Sequence, residues 1–360
     1  MKGRRFFPLD RKLLLRADHW SEGGARVATR QGLIGKSFDL AAEAYADAVG
    51  GAMSADSLRR ITEGWGRRVE EQRQEAAERA NAPAQRGESL QEGRLFEDRP
   101  ITGQANLSTD GGMVLIREEG WKEAKLTTIS EVEVRPAAER PAKEGAGSRR
   151  AGDPLVKLKG HSYQAGVWDA DTMALHQYAE GLRRGIDRCQ RLSSVNDGAP
   201  WIERITDLNF PEAVQIVDWH HAEGRLWKVS KAVFGERSPE GKGWVEERLD
   251  HLWSGEVKKV EAALEELDLG QERWPDEVRQ APGYFAGNRK RMRYDEFRTE
   301  GYPIGSGTVE SGINTVIHHR MKRPGRGWER SNGQAMLAGL SELHSGRFDQ
   351  AWKATLPLTA

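Results

Sequence analysis

A single cysteine in 360 residues, Cys189, leaves no partner for an intrachain disulfide and too few thiolates for a zinc cluster. That usage suits a reducing cytosol. With no His or Asn pattern around it, Cys189 reads as a small packed side chain rather than a nucleophile. Long apolar runs are missing too. None nears the roughly 20 residues that span a bilayer, and MKGRRFFPLD lacks the apolar centre of a signal peptide. Net charge is also absent, because 55 Lys and Arg balance 55 Asp and Glu. Any hold on nucleic acid must therefore come from local clusters, not a global field. Hydrophobic residues make up only 37% and charged ones 31%, which suggests two or three small cores rather than one large one. There is no internal repeat and no long heptad run.

What is present is organised around Tyr302–Lys322, YPIGSGTVESGINTVIHHRMK. A Pro/Gly/Ser loop passes into a helix with Glu310 in its first turns. Val309, Ile313, Val316 and Ile317 recur at helical spacing, so they bury one face and leave Glu310 at its edge. Arg320, Lys322, Arg323, Arg326 and Arg330 follow. An acid on a helix beside a basic run suggests a carboxylate working next to a phosphate backbone.

Upstream, residues 1–92 read as helical. Ser37 caps one helix that stops at Gly50-Gly51, and Ser54 caps a longer one bearing Arg59, Arg60, Arg67 and Arg68. The pair permits a helix-turn-helix that would grip DNA. NAPAQRGESLQEGR reads as a linker. Strands are expected in ANLSTDGGMVLI, WKEAKLTTISEVEV and VKLKGHSYQAGVWD, with a low-complexity loop, RPAAERPAKEGAGSRRAGDP, before the third. A helix follows, ADTMALHQYAEGLRRGIDRC, with Met173, Leu175, Tyr178 and Leu182 on its apolar side. Then come a short strand ending at Asp197, a helix closed by Pro211, and a buried strand, AVQIVDWHH. Three strands, helix, strand, helix, strand is the order of an RNase H-like α/β core. We expect that core as a mixed five-stranded sheet flanked by helices, in two parts, 93–221 and 299–360. Residues 222–298 form an all-α insertion, in which NRKRMRYDEFR is a basic helix. The final helix buries Met336, Leu337, Leu340 and Leu343.

In such a sheet the first and fourth strands are neighbours. Asp110 (LSTDG) and Asp197 (VNDGAP) would then emerge at one edge, and a helix across that edge could deliver Glu310. Asp218 also ends an apolar strand, but Asp197 is preferred as second acid because Gly198 and a following helix flank it. Three carboxylates brought together repel one another unless a cation joins them. Mg²⁺ or Mn²⁺ takes hard oxygen ligands, and a pair of ions suits in-line phosphoryl displacement. His220 and His221, adjacent in a strand, would point to opposite faces, so zinc is not expected. A positioning hydrogen bond is the role expected of His221. Arg289, Lys290, Arg291 and Arg293 before the Glu310 loop, and Arg320, Lys322, Arg323 and Arg326 after it, would hold phosphates. Tryptophans concentrated in the second half would serve mostly as packing anchors.

LSTDGGMVLIREEGWKEAKL, VNDGAPWIERITDLNFPEAVQIVDWHHAEGRLWKVSKAVFG, the long block from GYFAGNRKRMRYDEF to SNGQAML, and SGRFDQAW resemble consecutive motif blocks of bacterial ISKra-type insertion-sequence transposases. These are relatives of the Mutator-like DDE enzymes. The similarity runs from about residue 95 to the end. It implies metal-dependent strand cleavage and transfer at element ends, with Asp110, Asp197 and Glu310 as catalytic acids holding two Mg²⁺ or Mn²⁺. It also implies Asp218 and His221 as the supporting D-x-x-H pair. The implied partner is double-stranded DNA, held by a homodimer or higher oligomer in the bacterial cytoplasm at the nucleoid, with no membrane involved. Relatives often carry Gly where Ser311 stands, and many have an N-terminal cysteine cluster that is absent here.

Overall fold

The computed structural model describes residues 20–82, 98–137 and 153–356. Most of the expected linker at 81–94 and of the low-complexity loop at 135–154 lies outside the described residues.

The sheet has five strands, β1 (Gln104–Ile116), β2 (Gly120–Arg135), β3 (Leu155–Gly166), β4 (Arg191–Asn196) and β5 (Val214–Val217). They lie in the order β3-β2-β1-β4-β5. β1, β2 and β3 form an antiparallel meander, whereas β4 runs parallel to β1 and β5 parallel to β4. The last two pairings need crossovers, which two helices supply, α4 (Ala170–Arg183) before β4 and α5 (Pro200–Asn209) between β4 and β5. The three N-terminal helices are α1 (Glu22–Ile34), α2 (Phe38–Val49) and α3 (Ala55–Ala80). The two serine caps are in place, Ser37 Oγ accepting from Leu40 N at 3.2 Å and Ser54 Oγ from Ser57 N at 3.1 Å. Gly50, at φ 67°, ends α2 in the left-handed conformation that glycine tolerates.

Side-chain alternation divides the sheet between two cores. Even-numbered Val114, Ile116, Ala124 and Leu126 face the N-terminal helices and the C-terminal α13 (Arg330–His344) and α14 (Phe348–Ala354). Odd-numbered Ala105, Leu107 and Ile129 pack with Ile186 and Phe210 on the other face. A third core joins Val195, Ile216 and Val217 to the helical segment beyond β5. That segment holds α6 (Trp219–Phe234), α7 (Pro239–Trp253), α8 (Val257–Glu265), α9 (Asp276–Arg279), α10 (Ala281–Asn288) and α11 (Tyr294–Thr299). Trp219 and Trp253 anchor it, with ring centroids 4.7 Å apart and Trp219 edge-on to Tyr294.

The N-terminal helices share the sheet's first core, since Leu33, Leu58, Trp65 and Val69 cluster with Met336, Leu337 and Trp352. The basic residues of α3 have protein partners. Arg59 and Arg60 pair with Asp56, and Arg67 donates to Asn332. Close crossings depend on glycine, because a Cβ on Gly66 would stand 2.3 Å from the Ala335 carbonyl oxygen. That neighbour is backbone and cannot rotate away. Gly66→Ala is therefore expected to destabilise the fold by about 1–3 kcal/mol, the usual cost of overpacking, as read by urea unfolding.

Four expectations about local structure are corrected. Strand β5 stops at Val217, so Asp218 caps a helix and both histidines lie on the first turn of α6. A carboxylate able to accept from the His221 N–H outcompetes strand extension there. Asn288–Arg298 is broken into a 3₁₀ turn, Arg289–Arg291, and α11. The inward face of α4 is largely polar, with His176, Gln177 and Glu180 buried beside Met173, while Leu175, Tyr178 and Leu182 are half-buried. Buried partners on the sheet and on α13 make this tolerable. The C-terminal helix divides at Gly346, φ 74°, and Leu343 is half-buried.

Candidate active site

The parallel pairing of β1 with β4 keeps a constant offset of 87 residues, from Gln104↔Arg191 to Leu107↔Ser194. The ladder stops there; Asp110 and Asp197 share the same offset in sequence three residues beyond its last pair, and the charge of Asp197 is felt at Asp110. The strands hold together there through Asn196, whose Oδ1 accepts from Thr109 N at 2.6 Å and whose Nδ2 donates to Ser194 Oγ at 2.8 Å. Just past this clamp β4 ends, and Asp197 begins a turn in which its Oδ1 accepts from Ala199 N at 2.8 Å.

Asp110 shares its face of β1 with Gly112, the face covered by the Glu310 helix. That helix runs as α12 (Gly307–Gly312), then a π-helical stretch, Ile313–His318, then a last turn, His319–Met321. Val309, Ile313, Val316 and Ile317 are all buried, as their spacing predicts. A side chain on Gly112 would meet Ile313 and His318 at 3.0 Å, and one on Gly312 would meet Tyr163 and Leu126 at 3.0 and 3.1 Å. The two glycines let helix and sheet approach closely beside Asp110. π-Helical turns inside helices occur often at functional sites.

Glu310 is half-exposed at the mouth of this corner, 3.7 Å from His221 Nε2. His221 is held by Asp218, which is fully buried. Asp218 Oδ1 accepts from His221 N at 2.8 Å, and its other oxygen accepts from Ser306 N, one residue before α12. Ligand atoms of Asp218, His221 and Glu310 lie within 4.8 Å of one another. Of the three expected acids only Glu310 belongs to that group, the one such group among the described residues; Asp110 and Asp197 stand outside it. Both Asp218 oxygens accept from backbone N–H groups, so the residue braces α6 against the Glu310 loop. Asp218→Asn puts an NH₂ against one backbone N–H. It is expected to cost about 1–3 kcal/mol, the penalty of a buried unsatisfied donor, read as a lower thermal midpoint.

Burial pushes the Asp110 carboxyl above its usual range; the Gly111 N–H at 2.7 Å opposes this, and the negative charge of Asp197 adds to it. Because the folded value is raised, the stability it contributes is present below the unfolded pKa and is lost as pH rises through the folded one. At neutral pH the ionised group is a cost to the fold that a nearby cation would relieve.

The expected basic cluster is only partly available. Arg289 makes a two-pronged pair with Glu261, Arg291 pairs with Glu203 at 2.9 Å and Arg293 with Glu296. Arg320 corrects the expectation most sharply. It is 3% exposed, donates to the Gly32 carbonyl and lies over Phe38 and Trp328, so it packs α1 rather than facing a ligand. Lys290, Lys322 and Arg326 are exposed. Arg323 donates to the His319 carbonyl and opens a tight turn through Pro324 and Gly325, φ 68°. Cys189 is half-buried, its thiol pushed up by burial, as suits a packed side chain.

Sequence reasoning missed Asn196, Ser306 and Tyr284, the last donating to the Asp197 carbonyl at 3.0 Å. Asn196 stands in the quoted VNDGAP, and its place beside an acid at a strand end was the available signal. Nothing local marks Tyr284, 87 residues downstream of its partner. No helix among the described residues is long and apolar enough to cross a membrane. No family model matches the chain, and no curated protein matches it either.

Proposed function

We propose that the chain is a metal-dependent DDE-type transposase of the ISKra kind, built on an RNase H-like core, that cuts and joins DNA strands at insertion-sequence ends. The observation that carries this reading is the register of β1 against β4. In support, β1 and β4 are neighbours as expected and run parallel, Asp110 and Asp197 share one offset just beyond their ladder, and the helix bearing Glu310 covers the face of β1 that carries Asp110. The proposed donors are carboxylates, the hard oxygen ligands that small divalent ions take, and burial together with the charge of Asp197 disfavours the ionised form of Asp110 in the absence of a cation. Asp110, Asp197 and Glu310 would hold two Mg²⁺ or Mn²⁺. When bound, such ions make a neutral-pH nucleophile from water or a 3′-hydroxyl and stabilise the leaving oxygen.

The chain's own residues do the rest. Asn196 fixes the spacing of the aspartates, Asp218 ties the Glu310 loop to β5, and His221 sits where it can orient Glu310 or a phosphate oxygen. Lys290, Lys322 and Arg326 are the free cations we assign to strand binding, with an affinity that falls as salt rises. Cutting two ends together implies at least a dimer on DNA.

The test is a supercoiled plasmid carrying the DNA that flanks the coding sequence on both sides, incubated with the full chain and Mg²⁺. Transfer products support a transposase. Cutting without transfer would reduce the protein to an RNase H-like nuclease, and a gel shift without cutting would leave a transposase-derived binding protein.

A further inference from the structure

Beyond Asn196, no strand pairing holds Asp197, because the β4–β5 ladder ends at Asn196↔Val217. The turn that follows is gripped instead from the helical insertion. Tyr284, Asn288 and Arg291 stand at i, i+4 and i+7, one face of the segment running from α10 into the 3₁₀ turn. Tyr284 Oη donates to the Asp197 carbonyl at 3.0 Å. Asn288, 5% exposed, donates to the Tyr284 carbonyl at 2.8 Å. Its Oδ1 has no partner among the described residues and lies 3.4 Å from where a Gly198 Cβ would stand. Arg291 pairs with Glu203 in the first turns of α5 at 2.9 Å. From the opposite side Arg225 lies over the Tyr284 ring, 4.2 Å from its centroid, which fixes the ring's plane. Gly198, at φ 89°, is both conformationally special and tightly covered, since a Cβ there would touch Tyr284 at 3.1 Å.

We propose that the stripe Tyr284–Asn288–Arg291 is a positioning device that sets the Asp197 carboxylate for divalent-ion binding, which makes the helical insertion part of the metal site. The proposal rests on the metal-site reading above and adds to it three residues that would act from outside the ions' coordination shell. Arg291, expected from its basic neighbourhood to bind phosphate, is assigned to this grip. A carboxylate on a free turn samples many directions, whereas ion binding needs one. Groups that orient a ligand from outside its coordination shell typically account for about 10–100-fold in affinity.

Tyr284→Phe removes one O–H and keeps the ring under Arg225. The test is Mn²⁺ titration calorimetry of the full chain, with thermal midpoints recorded alongside. Tyr284→Phe and Arg291→Ala are expected to weaken Mn²⁺ binding about 10-fold or more. Arg291→Lys, which keeps a charge for Glu203, is expected to recover part of the loss that Arg291→Ala shows. A purely structural role would lower the midpoints and leave the affinity of the folded protein unchanged. Wild-type Mn²⁺ affinity in both Tyr284→Phe and Arg291→Ala would overturn the proposal while leaving the metal site intact. No Mn²⁺ binding by the wild-type chain would remove the site itself, and the proposal with it.

Discussion

Asp197→Asn is expected to bind DNA as the wild-type chain does and to cut it at least about 100-fold more slowly. The bound is conservative, because changing even an outer group that merely orients a metal ligand costs about 10–100-fold. Asn keeps the shape of the side chain and one acceptor, so the Ala199 N–H at 2.8 Å can still be satisfied and the turn retained. What is lost is a full negative charge just past the end of β4, one that the Asp110 carboxyl feels. The comparison that matters is with Asp218→Asn, whose acid is fully buried and already accepts from two backbone N–H groups. That variant should suffer first in stability. Rapid cutting by Asp197→Asn beside a well-folded but inert Asp218→Asn would reverse the assignment of the second acid.

Arg347→Met is expected to destabilise the protein by about 3–5 kcal/mol, the usual result of removing one partner from a buried ion pair. Arg347, with its side chain 1% exposed, lies between two carboxylates that are equally buried. It donates to Glu180 Oε1 and to Glu342 Oε2 at 2.8 Å each, with longer bonds to the second oxygen of both. Burial alone would raise the pKa of Glu180, but Arg347 and Arg183 outweigh it and hold the group down to about 2. Without Arg347 the two acids face each other across α4 and α13 with their largest opposing charge gone, Arg183 remaining 3.4 Å from Glu342. The sign of the pH effect follows. A depressed carboxyl contributes stability that is present above its unfolded pKa, near 4.5, and is lost as pH falls toward about 2.

His176 adds an earlier stage to the same decline. It stacks on Trp168 with centroids 3.9 Å apart, and burial together with Arg73 depresses it to about 3. The unfolded chain takes up that proton near 6.5, so wild-type stability should fall from about pH 6.5 downward and more steeply below about 4.5. The gap between wild type and Arg347→Met should narrow over the same range, as both proteins protonate their carboxyls. Urea unfolding between pH 7 and 3 measures both trends, and a gap that widens on acidification would contradict the assignment.

Much of this architecture was legible in the chain because it is written in local patterns. Serine caps, β-branched runs and the buried stripe through Val309, Ile313, Val316 and Ile317 each specify their element without help from the rest. The three acids could be named from the strand order expected of the core and from the resemblance of the blocks around LSTDG, VNDGAP and GSGTVES, not from local pattern alone. What escaped were decisions made between elements. Whether DWHH extends a strand or opens a helix depends on Asp218 finding backbone N–H groups from two directions. The polar inner face of α4 reads as a solvated one until Arg347, 167 residues away, is set against Glu180. Arg320 sits in a basic run like its neighbours, yet the rings of Phe38 and Trp328 and the carbonyl of Gly32 draw it inside. Charge run alone cannot distinguish an arginine that packs from one that waits for phosphate.

The proposal that Asp110, Asp197 and Glu310 hold divalent ions together is tested most directly by counting and weighing Mn²⁺ binding in the absence of DNA. Calorimetry on the wild-type chain is expected to show about two ions per chain, with the affinity collapsing in Asp110→Asn, in Asp197→Asn and in Glu310→Gln taken singly. Undiminished Mn²⁺ binding in all three variants would mean that these carboxylates do not form a common site.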